Sequence, residues 1–113
     1  MVRRSYTPDR GDIAWVDFGL VQGHEQAGLR PAFVVSSRLY NSPSGLVLVC
    51  PITSRIKGYT FEVQFSIPKV HGAILADHAR SIDWKKRKMR FIGKAMPDTI
   101  EAVIKRIKVL IEE

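Results

Sequence analysis

Arg30 closes a glycine-rich stretch and stands directly before an apolar run, with His24 and Glu25 a few residues ahead of it. A guanidinium stays charged at any physiological pH and meets a phosphate or carboxylate through two parallel hydrogen bonds. Glu25 is a natural partner for it, since each charge favours the ionised form of the other. Histidine changes charge near neutrality and suits proton transfer. His24 in such a loop is ordinarily just exposed, His71 before Gly72 reads as a turn residue, and His78 follows Asp77 with either role open. Thr53 ends another apolar run. Its hydroxyl can donate to an anion, although on residue type alone local turn capping is the ordinary outcome. Arg55 and Lys57 follow it, and a denser run, Lys85-Lys86-Arg87-Lys88 with Arg90, comes later. Such runs usually form solvated surface, but they can also track phosphates with salt-sensitive affinity. No His, Cys, Asp or Glu grouping has zinc-ligand spacing, and Cys50 lies in an apolar strand. Neither a metal nor a cofactor is expected.

The chain has 113 residues and a net charge of +7, with an isoelectric point near 9.9. That length suits a single domain, residues 1–113, with one modest core. Apolar residues make up 45%, an ordinary globular share that argues against disorder. The positive balance suits a polyanionic partner, either nucleic acid, an acidic protein or a membrane surface, and equally a basic surface that only aids solubility. No apolar run approaches the roughly 20 residues of a membrane span. Residues 1–10 are basic and polar without an apolar stretch behind them, unlike a secretory leader. A lone cysteine excludes a disulfide scaffold and fits a reducing cytoplasm.

These side chains need a scaffold. Asp9-Arg10-Gly11-Asp12 reads as a turn into a strand over Ile13–Phe18, with Ile13, Trp15 and Asp17 on one face and Ala14, Val16 and Phe18 on the other. A long loop, Gly19–Leu29, follows, and loops of that length are often functional. Pro31–Ser36 is a second strand, Asn41–Gly45 is turn chemistry, and Leu46–Cys50 is apolar throughout, as a central, doubly buried strand would be. Tyr59–Phe65 alternates, Ala73–Ala76 is a short strand, and Met89–Lys94 suits the last one. The period then lengthens: Ile100, Val103, Ile104, Ile107, Leu110 and Ile111 predict an amphipathic helix, with Pro97 in its first turn and Asp98 and Glu101 near its positive end. About five to seven short strands and a terminal helix make a mainly β, strongly bent sheet or barrel.

The segment Gly11-Asp12-Ile13-Ala14-Trp15-Val16 followed by Gly23-His24-Glu25-Gln26-Ala27-Gly28-Leu29-Arg30-Pro31 resembles the MazF/PemK toxin family, whose hallmark is Gly-Asp-x-x-Trp-Val and then Gly-x-Glu-Gln-x-Gly-x-Arg-Pro. Tyr40-Asn41, Cys50-Pro51-Ile52-Thr53, Lys57-Gly58-Tyr59, Leu75-Ala76-Asp77, Ser81-Ile82-Asp83-Trp84 and the tail Ile107–Ile111 match in register, so the likeness spans nearly the whole chain. Family members commonly have Asp-Gln where this chain has Asp77-His78.

The resemblance implies an SH3-like, CcdB/PemK-type barrel with a C-terminal helix, assembled as a homodimer. It implies sequence-specific, metal-independent cleavage of single-stranded mRNA, leaving a 2′,3′-cyclic phosphate and a 5′-hydroxyl. A MazE-like antitoxin with an acidic C-terminal tail would neutralise it. Arg30, Thr53 and Glu25 are then the catalytic candidates. Arg30 would stabilise phosphate charge, Thr53 would donate a hydrogen bond, and Glu25 would act as base or orient Arg30. His24, Gln26, Arg55, Lys57, Asp77, His78, Lys85, Lys86 and Arg87 would contact RNA. Trp15, Trp84 and Phe18 are weaker stacking candidates, Trp15 reading rather as core or dimer interface. Two alternatives keep the fold. One is a gyrase-poisoning toxin, the other a non-catalytic RNA- or peptide-binding module, because a fold alone does not decide function.

Overall fold

A computed structural model of the chain describes residues 6–19 and 28–112. Strand β1 (Asp12–Asp17) is followed by β2 (Leu29–Val34), a short helix α1 (Arg38–Ser44), β3 (Leu46–Thr53), β4 (Glu62–Ile67), β5 (Val70–Leu75), a single 3₁₀ turn (Ala76–His78), β6 (Arg80–Asp83), β7 (Arg90–Lys94) and the helix α2 (Pro97–Glu112). The seven strands form one antiparallel sheet in the order β4-β5-β3-β2-β1-β7, with β6 joining β3 off that path. The expected mainly β fold with a closing helix is what forms.

The alternation along β1 writes a strand with apolar material on both faces. Ile13 packs with Phe33, Cys50, Ile52, Ile74 and Val103 beneath α2. Ala14, Val16 and Phe18 pack on the other face with Ala32, Val34, Val49, Ile82 and Trp84. Strand β3 is central, as its apolar run requires. One of its edges pairs with β2, while the other is shared between β6, along Leu46–Val49, and β5, along Ile52–Thr53. Two strands on one edge must diverge, so the sheet bends there into a half-barrel, and the 3₁₀ turn bearing Asp77 and His78 sits at the corner.

Several sequence expectations are corrected. Asn41–Gly45 is not a free turn. Residues Arg38–Ser44 are helical, and Gly45 closes the helix at φ 74° with its N–H on the Asn41 carbonyl, the left-handed ending that glycine permits. The fully buried Asn41 amide donates to the Pro8 and Ser36 carbonyls at 2.8 and 2.9 Å, which outweighs the turn-forming bias of the local residues. Strand β4 starts at Glu62 rather than Tyr59, because residues 59–62 make a turn closed by the Glu62 N–H on the Tyr59 carbonyl. His71 is a strand residue paired with Ser66. The Ser81–Asp83 segment, recognised as a motif only, is strand β6.

Helix α2 buries Val103 completely and packs Ile100, Ile104 and Ile107 on the core, while Val109, Leu110 and Ile111 stay exposed. No helix among the described residues is long and apolar enough to cross a membrane.

Candidate nucleic-acid interface

Thr53 is the last residue of β3, where the strand pairs with Ala73 of β5. Gly72 makes that pairing possible: a Cβ there would come within 2.5 Å of the Thr53 carbonyl oxygen. The Thr53 Oγ accepts the Arg55 N–H at 3.0 Å. The local turn-capping role is therefore real, and it uses an acceptor lone pair, leaving the hydroxyl's own proton to donate.

The observed β2–β3 pairs are Ala32–Pro51, Phe33–Cys50 and Val34–Val49. The same register followed to the strand ends leads to Arg30 and Thr53. Side-chain alternation sets both on the face that carries Ala32, Val34 and Val49, opposite α2. Arg30 itself is exposed and pairs across the β1–β2 ladder with Val16.

Thr53 opens onto a cavity of about 730 Å³, lined also by Arg55, Lys57, Tyr59, Glu62, Leu75 and His78. Three cationic or protonatable side chains share it with the threonine hydroxyl. Asp77 stands at the rim, accepting the Tyr59 hydroxyl at 2.8 Å, with His78 Nε2 at 3.8 Å. Burial pushes the Tyr59 hydroxyl up to about 12, and its bond to the Asp77 carboxylate adds to the rise, so Tyr59 is a neutral donor at physiological pH. A wall with two hydroxyls, two cations and the Tyr59 ring can hold a phosphodiester and the flat face of a base.

Residues 9–111 match the PemK-like, MazF-like toxins of type II toxin-antitoxin systems. The endoribonuclease toxin MazF of Escherichia coli K12 is 44% identical over 111 residues, covering 98% of this chain and 99% of that one. The chain belongs to this toxin family. The toxin is also similar to the crystal structure of MazF from Deinococcus radiodurans, with a TM-score of 0.90 at 42% identity over 96% of this chain and 100% of the other. A MazE-MazF structure from the same organism matches at a TM-score of 0.84 and 39% identity, over 96% and 98% of the two chains.

Among the residues expected at its site, the toxin brings Thr53, Arg55, Lys57 and His78 to one cavity, with Asp77 beside it. Lys85, Lys86 and Arg87 are not among the lining residues. They occupy the turn after β6, where Asp83 accepts the Lys85 and Lys86 N–H groups, both at 3.1 Å. The Arg87 guanidinium donates to the Asp17 carbonyl at 3.0 Å. His24, Glu25 and Gln26 lie outside the described residues. Among the described residues, no three His, Cys, Asp or Glu side chains gather as a metal site would require.

Two stacking candidates are corrected. Phe18 is 2% exposed, and the Arg80 guanidinium lies 5.3 Å above its ring. Trp84 is buried, with its indole N–H on the Asn41 carbonyl at 2.9 Å. Trp15 is half-buried. Cys50 is fully buried, and burial pushes its thiol up to about 12, so it carries no thiolate chemistry.

Tyr59, Glu62 and Leu75 line the cavity and were not among the residues expected there. Tyr59 stood inside a matched motif and read as a strand residue. Glu62 was a polar position in an alternating run, and nothing local marks it as buried.

Proposed function

We infer that this chain is an endoribonuclease toxin, and we propose that it cuts single-stranded RNA at preferred sequences without a metal ion. The nucleophile is already in the substrate. The ribose 2′-oxygen attacks the adjacent phosphorus, the bond from phosphorus to the 5′-oxygen breaks, and a 2′,3′-cyclic phosphate and a 5′-hydroxyl result. The 2′ proton passes to a base and the departing 5′-oxygen gains a proton, so no redox partner or metal is required.

Arg30 stabilises the charge gathering on the non-bridging oxygens, since its guanidinium fits phosphate in a bidentate way and stays charged. Thr53 donates to the same phosphate. Glu25 accepts the 2′ proton or orients Arg30. Gln26, His24, Asp77 and His78 contact flanking nucleotides, while Arg55 and Lys57 hold neighbouring phosphates. Lys85, Lys86 and Arg87 extend the electrostatic footprint. The chain acts as a homodimer in the cytoplasm, and a MazE-like antitoxin with an acidic tail covers the same basic surface, which the charge of +7 favours.

The observation that carries this reading is the cavity at the end of β3, where the Thr53 hydroxyl shares a wall with Arg55, Lys57 and His78. The β2–β3 register followed to the strand ends supports it, leading to Arg30 and Thr53 on one face. The test is incubation of the purified chain with a mixed-sequence single-stranded RNA in excess EDTA, with both ends of each product mapped. The expected result is selective cuts ending in cyclic phosphate. Arg30→Ala should slow them by about a thousandfold and Thr53→Ala by about a hundredfold, the range seen when one charge-stabilising donor is removed. Intact RNA, or cuts indifferent to both substitutions, rejects the mechanism.

A further inference from the structure

Glu62 is 7% exposed, on the first residue of β4. An ionised carboxylate in such a place is costly unless hydrogen bonds replace its lost water. These bonds come from main chain: Lys57 N–H reaches both carboxylate oxygens, at 3.0 and 3.1 Å, and Gly58 N–H reaches one at 2.7 Å. Gly58 has φ 81°, so the loop turns there in a conformation that side chains with a Cβ resist. The carboxylate thus fills a sharp bend in the segment between β3 and β4, which carries Arg55, Lys57 and Tyr59.

The far end of the same segment is held twice more. Tyr59 donates its hydroxyl to Asp77, and Arg106 of α2 donates Nε–H to the Thr60 carbonyl at 2.7 Å. An exposed loop would ordinarily stay mobile, and ordering it on a ligand would weaken binding. Here the ordering is done in advance, and the ordered side chains line the cavity that Thr53 shares.

We propose that Glu62 is a positioning residue: its buried carboxylate clips the Lys57–Gly58 backbone and so fixes Arg55, Lys57 and Tyr59 as a preformed RNA-binding wall beside Thr53. The inference rests on the ribonuclease reading above. Glu62 acts through the loop and touches no reacting atom. Its loss therefore weakens RNA capture and leaves the chemical step intact. Because the wall contributes phosphate contacts, its loss also makes binding less sensitive to salt.

The experiment is steady-state cleavage of a short RNA with one cut site, for wild type, Glu62→Ala and Glu62→Gln, at several salt concentrations. In Glu62→Ala, KM should rise about tenfold with kcat within about twofold, and the slope of log KM against log salt should become shallower. Gln keeps a carbonyl oxygen that accepts one N–H, so Glu62→Gln should fall within about threefold of wild type. Lys57→Ala should raise KM clearly in wild type and much less in the Glu62→Ala background, because the two act as one unit. Should Glu62→Ala fail to fold, Glu62→Asp, too short to reach both N–H groups, takes its place in the same comparison. A variant with unchanged KM and salt slope, or one losing kcat at constant KM, overturns the proposal. A wild-type chain that neither cuts nor binds RNA fails differently: it removes the ribonuclease reading and this inference with it.

Discussion

Two cationic segments of this toxin differ in what holds them. The one between β3 and β4 carries Arg55 and Lys57, folds over a buried carboxylate and lines a cavity with Thr53. The turn after β6 carries the denser run Lys85–Lys88, yet its backbone is organised by Asp83 at the end of β6, and Lys85 lies 5.5 Å over the Trp84 ring. Arg87 spends a donor on the end of β1. The richer charge run is thus partly committed to its own scaffold, and the sparser one is presented to a groove. Charge density along the chain therefore does not determine which cations come to line a cavity beside Thr53.

The comparison breaks most visibly under paired substitutions. Arg55→Ala with Lys57→Ala should raise KM for RNA at least about tenfold and cut the salt slope by roughly 1.4, about 0.7 per single-strand phosphate contact. Lys85→Ala with Lys86→Ala should change KM by no more than about threefold in the same assay. Equal effects would show that both segments bind RNA alike.

Gly58→Ala sharpens the comparison from the backbone side. Among the described residues, no atom beyond the two chain neighbours lies within 4 Å of the added Cβ, so the positive φ is what is penalised. Thermal unfolding should show a loss of about 1–2 kcal/mol, and KM should rise because the bend that Glu62 fills is disturbed. Arg87→Ala, in the other segment, should lower stability by about 1 kcal/mol in urea unfolding, the worth of one hydrogen bond, with KM little changed.

The smallest effect tests a residue outside both segments. The Arg38 N–H hydrogen bond holds the Asp9 carboxyl below its ordinary 3.8, with the Arg10 N–H adding to it. A lowered carboxyl value stabilises the fold at pH values above 3.8, and that contribution disappears as pH falls through the folded value. Wild type should therefore be slightly more stable than Asp9→Asn above pH 4, with the gap closing in stronger acid. KM for RNA should match in the two proteins at neutral pH.

Much of this architecture is legible in the residues. Period-two alternation in Ile13–Phe18, the unbroken apolar run at Leu46–Cys50 and the change to helical spacing after Pro97 each depend on nearest neighbours along the chain, and each element formed. The ordered motifs around Arg30, Thr53 and Asp77 carried the family as well. Other features were opaque for one physical reason: they depend on partners far away in sequence. Asn41 is helical because Pro8 and Ser36 receive its amide. Phe18 is covered because Arg80 arrives over it from β6.

The sequence by itself determined the strand-rich fold, the closing helix, the basic charge and the toxin family, since periodicity, composition and motif order are written in linear order. Only the tertiary structure decided that β5 and β6 share one edge of β3, that Thr53 opens onto a cavity with Arg55, Lys57 and His78, and that Glu62 lies buried under the loop it organises. Those outcomes follow from long-range strand register and from how a loop closes over a polar group. Burial of one side chain there depends on atoms that no local window contains.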